Sequence, residues 1–243
     1  MKREEFAYLK NYIDMEETVI RGIDINTTGE SKHGFEFFNS ISEDMIKEMD
    51  CFIKYAEGKK SFLDVGAGHG IFSLIFNKLN PCGHILSIEP DEDSYKILIE
   101  NTEDINNISL KNVALSGADG DIIMKKSAGG FSAVAEFDWE KDCVFQALKG
   151  DSLYTDIPFD IIKIDTEGNE LDVLKGLAGT ITKNHPVIFL EMHHYFLKEQ
   201  WLDEMGVMID EWGYKIINTK DEQPITLEQI KQIKEGETRI ILL

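Results

Sequence analysis

Basic residues are in short supply: 25 Lys and Arg stand against 45 Asp and Glu, a formal net charge of −20. A chain so charged repels nucleic acid and anionic membrane, and neither is expected as a partner. Cysteine is scarcer still. Cys51, Cys82 and Cys143 are odd in number, far apart and without C-x-x-C spacing, so neither a disulfide framework nor a cysteine zinc site is indicated, and a reducing, cytoplasmic setting is expected. Long apolar runs are missing too. No stretch approaches the roughly 18 residues that span a bilayer, and Met1 to Phe6 lacks the apolar core of a signal peptide. No internal repeat or low-complexity tract interrupts the 243 residues.

Against that background Phe62-Leu63-Asp64-Val65-Gly66-Ala67-Gly68-His69-Gly70-Ile71-Phe72-Ser73 stands out. It reads as a strand, a tight glycine turn and the start of a helix, where glycines permit positive φ and close approach of a ligand to the main chain. A dinucleotide fingerprint has G-x-G-x-x-G beside a pyrophosphate; here the spacing is G-x-G-x-G, and Asp64 precedes it. A carboxylate at that point suits a cationic ligand such as S-adenosylmethionine, which carries an ammonium and a sulfonium and no phosphate. One βαβ unit later, His84 to Ile88 forms a strand ending in Glu89, placed to accept hydrogen bonds from both ribose hydroxyls.

From residue 61 strands alternate with helices, as in a parallel sheet covered on both faces. Strands are expected at 61–65, 84–89, 108–113, 159–165, 186–191, 213–218 and 238–243, the final two pairing antiparallel at the sheet edge. Amphipathic helices are expected near residues 4–20 and 41–57, with Gly29 to Phe38 between them as a loop and possible lid, or as aromatics that dock the segment. Residues 1–57 thus form a helical extension to a domain at 58–243. The span from 115 to 158 breaks the alternation and is too long for a simple connection; inserted strands with a functional loop, at a place suited to acceptor selection, are expected there.

A second chemical cluster follows the fourth strand: Lys163-Ile164-Asp165-Thr166-Glu167-Gly168-Asn169-Glu170. The helix dipole accounts for Glu170 but does not require Asp165 and Glu167 at the carboxyl end of a strand, the edge where open α/β sheets bind ligands. The next strand ends in Glu191-Met192-His193-His194. Asp165, Glu167, Glu191 and His193 therefore converge as candidate general base and orienting groups, with Asp165, Glu191 and His193 as candidate ligands for Mg²⁺ or Mn²⁺.

With Val173-Leu174-Lys175-Gly176 added, the segment resembles the K-I-D-x-E-G-x-E-x-x-V-L-x-G signature of FkbM-type methyltransferases, and Asp64–Gly70, Glu89-Pro90, Asn112 to Ser116 and Pro186–His193 match further blocks in order. The resemblance covers about residues 61 to 194. It implies a class I, Rossmann-like methyltransferase fold: seven mostly parallel strands in the order 3-2-1-4-5-7-6, bound to S-adenosylmethionine. It also implies O-methylation of a small-molecule or saccharide acceptor, such as a hydroxyl on a sugar or natural product. Gly66, Gly68 and Gly70 would line the methionine part, Asp64 would meet its ammonium, Glu89 the ribose, and Asn112 or Ser116 the adenine edge. Two other readings stay open: an NAD-dependent oxidoreductase, and a cofactor-binding protein without turnover.

Overall fold

The computed structural model describes residues 15–40, 43–127, 130–133, 142–153, 158–196, 198–233 and 235–243. The chain opens with a hairpin, β1 (Met15–Ile20) and β2 (Ile23–Thr28), paired antiparallel. A helix was expected up to residue 20, but the apolar and polar positions there alternate. Thr18 and Ile20 are buried while Glu17 and Val19 are exposed, a period of two that suits a strand. Arg21 and Gly22 turn the chain with φ of 49° and 82°, the two positive values of a type I′ hairpin turn. Residues 4–14 of the expected helix lie outside the described residues.

Next come helices α1 (Gly29–Ser40) and α2 (Glu43–Ala56). The aromatic segment read as a loop is therefore helical, and Phe35 is buried in a core with Ile20, Ile25, Met49 and Phe52. Of the two roles considered for it, docking is the one Phe35 performs; the side chains of Phe37 and Phe38 lie outside the description.

The α/β body follows: β3 (Ser61–Val65), α3 (Ile71–Leu79), β4 (His84–Ile88), α4 (Glu92–Thr102) and β5 (Ile108–Lys111). The expected insertion is a four-stranded sheet of β6 (Ala114–Ser116), β7 (Gly120–Ser127), β8 (Gly130–Ala133) and β9 (Asp142–Lys149). The body then resumes with β10 (Ile161–Ile164), α5 (Glu170–Gly176), α6 (Ala178–Asn184), β11 (Val187–His193), α7 (Glu199–Trp212), β12 (Ile216–Asn218), α8 (Leu227–Lys231) and β13 (Glu237–Leu242).

In space the main sheet runs β12-β13-β11-β10-β3-β4-β5, with β13 antiparallel to both neighbours and the remaining pairs parallel. Counting its seven strands along the chain, the order is 3-2-1-4-5-7-6. Parallel order switches direction between β3 and β10, and such a switch point opens a crevice at the strands' carboxyl ends.

Strand alternation sorts the two faces. Leu63, Val65, Ile162, Ile164, Ile188 and Leu190 enter the core beneath α5 to α8. Phe62, Ile161, Phe189 and Ile241 face the N-terminal segment and α3, where Phe52 meets Phe62, Phe72 and Phe189 with ring centroids 4.9 to 5.5 Å apart. Two residues nearer the crevice end of those same strands, on that same face, stand Asp64, Lys163, Glu191 and Arg239. The aromatic core thus gives way to charge at the end of the sheet that carries the crevice.

Candidate active site

The three loop glycines do three different things. At Gly66, φ is 79° and an added Cβ would lie 1.8 Å from the Asp165 carbonyl oxygen, so this glycine lets the loop pass over β10. Gly70, with φ of 92° at the start of α3, would bring a Cβ to 2.5 Å from Leu98; it serves helix packing. Only Gly68, with φ of 54°, has nothing within 4 Å of such a Cβ. It faces a cavity.

That cavity has an apolar side made by Ile88, Val113, Leu115, Ile122 and Met124, the last two from the inserted β7. Its polar side carries Glu89, Asp91, Asp165 and Glu167, and no Lys, Arg or His is among its described lining residues. Glu89 accepts the Gly68 amide at 2.8 Å through one carboxylate oxygen and the Asp91 amide at 2.8 Å through the other. Burial pushes its carboxyl up to about 7, against those two hydrogen bonds.

Other expected cofactor residues stand behind this surface. Asp64 is 1% exposed and accepts the Ser73 hydroxyl at 2.6 Å; burial raises its carboxyl to about 6. It is not among the lining residues, so it supports the loop from below. Asn112 donates its amide to the Glu89 and Pro90 carbonyls at 2.9 and 3.0 Å, which fixes the strand end that presents Glu89. Ser116 lines a neighbouring hollow instead.

The loop after β10 is tightly turned. Glu167 and Gly168 have φ of 53° and 104° in succession, a conformation that costs a non-glycine residue roughly 1–2 kcal/mol. Asn169 holds the turn to the inserted sheet by donating to the Leu115 carbonyl at 2.7 Å. Glu170 is fully buried and accepts the Gly168 amide at 2.9 Å and His193 Nδ1 at 3.0 Å. It is more than a helix-opening acid: it ties the loop to the end of β11.

His193 Nε2 then points at three carboxylates, standing 3.6 Å from Glu167 Oε2, 3.8 Å from Asp165 Oδ1 and 3.9 Å from Glu191 Oε1. Burial disfavours the imidazolium, but Glu170 and Asp165 outweigh it and hold His193 at about 9. The four residues expected to form the reaction centre are thus brought together, but Glu191 is the one turned into the protein. It is 5% exposed, paired with Arg239, and 3.7 Å from Lys163. Burial raises its carboxyl well above the usual range, and Asp165 and Glu48 add to that. Asp165 goes the other way: burial opposes ionisation, yet Lys163 at 2.9 Å and His193 hold its carboxyl below the ordinary value.

Sequence reasoning assigned no role to Lys163, Arg239 or Glu48. Lys163 is 1% exposed, lies 4.5 Å from the Phe72 ring centroid, and is surrounded by Asp165, Glu48 and Glu191. Arg239 Nε stands 3.1 Å from Glu48 Oε2. The one advance signal was Lys163 itself, a lysine inside an otherwise apolar strand.

Beside the cavity at Gly68, sharing Ile122 and Asn169 with it, is a second hollow walled by Tyr195, Phe196, Lys198 and Trp201. Tyr195 is 68% exposed, two residues past His193. Lys198 Nζ lies 4.9 Å from the Trp201 ring centroid.

Comparison with known proteins adds a family to this geometry. Residues 64–216 match the model of the methyltransferase FkbM domain. The hexuronic acid methyltransferase AglP of Haloferax volcanii is 26% identical over 155 residues, 62% of each chain. Among solved structures, the methyltransferase FkbM of Methylobacillus flagellatus KT has a TM-score of 0.52 at 17% identity, covering 76% of this chain and 44% of that one. An rRNA methylase of Streptococcus thermophilus has a TM-score of 0.50 at 11% identity, covering 84% and 97%. The chain therefore spans well under two thirds of the FkbM structure and 62% of AglP. No described helix is long and apolar enough to cross a membrane.

Proposed function

The chain belongs to the FkbM methyltransferase family, and on that premise we propose that it transfers the methyl group of S-adenosylmethionine to a hydroxyl oxygen of a sugar. One observation carries the cofactor assignment: the cavity above Gly68 is walled by four carboxyl groups and no basic side chain among its described residues. A pyrophosphate would be repelled there, whereas a sulfonium and an ammonium are attracted. This disfavours the NAD-dependent alternative. Glu89 is placed for the ribose hydroxyls, since each of its oxygens keeps a lone pair beyond the backbone amide it already accepts. The apolar wall of Ile88, Val113, Leu115, Ile122 and Met124 suits the adenine.

When bound, the cofactor supplies an electrophilic methyl carbon on positively charged sulfur. The protein's part is to hold an acceptor hydroxyl in line with that carbon, because alignment alone removes roughly 7–11 kcal/mol of barrier. With the donor held by the Gly68 loop and Glu89, the acceptor oxygen would take the methyl in one displacement, the electron pair of the broken S–C bond staying on sulfur. The hydroxyl proton leaves through the cluster of Asp165, Glu167, Glu191 and His193, whose most open member is Glu167.

The acceptor is placed in the hollow of Tyr195, Phe196, Lys198 and Trp201. The exposed face of Tyr195 beside the half-buried Phe196 and Trp201 suits the C–H faces of a pyranose, and Lys198 offers a cation in a chain where acids outnumber bases. AglP acts on a hexuronic acid, and an acidic sugar fits both features. The test is methyl transfer from labelled S-adenosylmethionine to glycosides of glucuronic acid and glucose, alongside calorimetry with S-adenosylhomocysteine and NAD. Binding of NAD rather than S-adenosylhomocysteine would sink the cofactor assignment. Cofactor binding with no transfer to any glycoside would sink the acceptor assignment and favour a protein without turnover.

A further inference from the structure

We propose that Asp165, Glu167 and His193 form a binding site for one divalent first-row cation of the manganese type. The three offer one ligand atom each, all within 4.8 Å of one another. His193 Nε2 stands 3.8 Å from Asp165 Oδ1 and 3.6 Å from Glu167 Oε2, longer than a hydrogen bond to either. Neighbouring ligands about 2.1–2.3 Å from a common ion stand roughly 3.0–3.8 Å apart. The spacing is thus that of atoms arranged around a centre rather than bonded to each other.

The histidine supplies the second, independent observation. Its side chain is 4% exposed, and its Nδ1 is bonded to Glu170 Oε1 at 3.0 Å. In the neutral ring, a carboxylate that accepts the Nδ1–H hydrogen bond leaves Nε2 as the lone-pair nitrogen and fixes the ring's direction, the usual support of a metal-bound imidazole; a cation bound there displaces the Nε2 proton that the surrounding acids otherwise favour. Here that nitrogen is aimed into the carboxylate group. Acids outnumber bases there: Glu48, Asp165, Glu167, Glu170 and Glu191 gather around Lys163, Arg239 and His193 itself.

Glu191, His193 and Glu237 form a rival set around the same imidazole. Both of its carboxylates are already paired with Arg239. Asp165 keeps Oδ1 clear of its Lys163 bond, which goes to Oδ2. Glu167 is 42% exposed, so the set of Asp165, Glu167 and His193 opens toward the crevice and leaves coordination positions for an acceptor oxygen. Mixed imidazole and carboxylate ligation suits manganese or a neighbour in the series better than calcium.

The ion's task, though not its binding, rests on the methyl-transfer reading. A hydroxyl bound to it ionises more readily, and its proton is released to solvent past Glu167. The experiment uses the chelator-stripped 243-residue chain. Calorimetry with Mn²⁺ is expected to show one site, weakened at least 100-fold by His193→Ala and by Asp165→Asn, while S-adenosylhomocysteine affinity of His193→Ala, whose side chain does not line the cofactor cavity, stays within about threefold. For variants that fail to fold, a second readout uses the wild type: Co²⁺ should give visible bands that shift when imidazole ligation is lost on acidification, and Mn²⁺ should broaden the His193 ring signals. Wild type that binds S-adenosylhomocysteine but not Mn²⁺, or Mn²⁺ binding that leaves His193 signals sharp, overturns the site. Wild type that binds Mn²⁺ but not S-adenosylhomocysteine overturns the cofactor assignment and leaves the site standing.

Discussion

Glu48 Oε2 lies 3.1 Å from Arg239 Nε, so a helix that precedes the family-matching residues provides a buried counter-charge beneath the cluster of Asp165, Glu191 and His193. Its other oxygen faces Lys163 at 3.7 Å. The face of the sheet that carries Asp64, Lys163, Glu191 and Arg239 is covered by the N-terminal segment, and a covering helix with an apolar residue at position 48 would leave two cations short of a partner.

Removing one member of a buried ion network costs roughly 3–5 kcal/mol. Glu48→Ala is therefore expected to lower stability by about 3 kcal/mol, or about 6–12 °C in melting temperature for a chain of this size. Glu48→Gln, which keeps an acceptor oxygen, should lose less. Thermal melts of both variants check this; a Glu48→Ala melt within about 2 °C of wild type would show that the network does not depend on α2.

Gly66 and Gly68 should separate folding from binding. A Cβ at Gly66 would sit 1.8 Å from the Asp165 carbonyl oxygen, main chain against main chain, so Gly66→Ala should fail to yield folded protein. At Gly68 the Cβ meets no protein atom, and the cost to folding is only the left-handed backbone, roughly 1–2 kcal/mol. Gly68→Ala should fold and bind S-adenosylhomocysteine at least tenfold more weakly, by calorimetry. Equal binding by this variant would mean that the ligand lies elsewhere.

The sequence exposes some of this and hides the rest for physical reasons. The crevice acids and His193 were legible because strand ends are marked in the sequence, and carboxyl ends of parallel strands meet in one place. All seven strands of the main sheet announce themselves as short apolar runs. Glu48, Lys163 and Arg239 were not legible as a group, because three segments separated by more than 70 residues meet only once the sheet is assembled. The hairpin at residues 15–28 was hidden by its mixed charge, which obscured an alternation only six residues long in each strand. Asp64 shows the converse: it holds the expected place in the motif, yet its buried carboxylate bonds Ser73 and is not among the residues lining the cavity.

Glu89 should make cofactor binding depend on pH. Its carboxyl is raised by burial to about 7, and the ionised form is the better acceptor for ribose hydroxyls. S-adenosylhomocysteine affinity is therefore expected to rise between pH 6 and 8 and then level off, with Glu89→Gln weaker and flat across the same range. Stability of the ligand-free protein runs the other way. A carboxyl whose folded value lies above its unfolded one favours folding below about 4.5, and that contribution is lost as pH rises through about 7. Titration calorimetry at several pH values checks the first; affinity that falls over that range would mean the ribose is not held by an ionised Glu89.

The exposed Tyr195 should govern the acceptor and leave the cofactor alone. An aromatic 68% exposed two residues beyond His193 contributes little to the core, and its place in the second hollow gives it a surface to offer a sugar ring. Tyr195→Ala is expected to raise KM for a glycoside acceptor at least tenfold, about 1.4 kcal/mol, with S-adenosylhomocysteine affinity and melting temperature nearly unchanged. Lys198→Met should discriminate further. Its Nζ lies over Trp201, 4.9 Å from the ring centroid, and methionine keeps that apolar contact while removing the charge. If the acceptor carries a carboxylate, the loss should fall on the glucuronide and spare the glucoside. If both glycosides lose equally, Lys198 acts by packing on Trp201 and the preference for an acidic sugar has to be sought elsewhere.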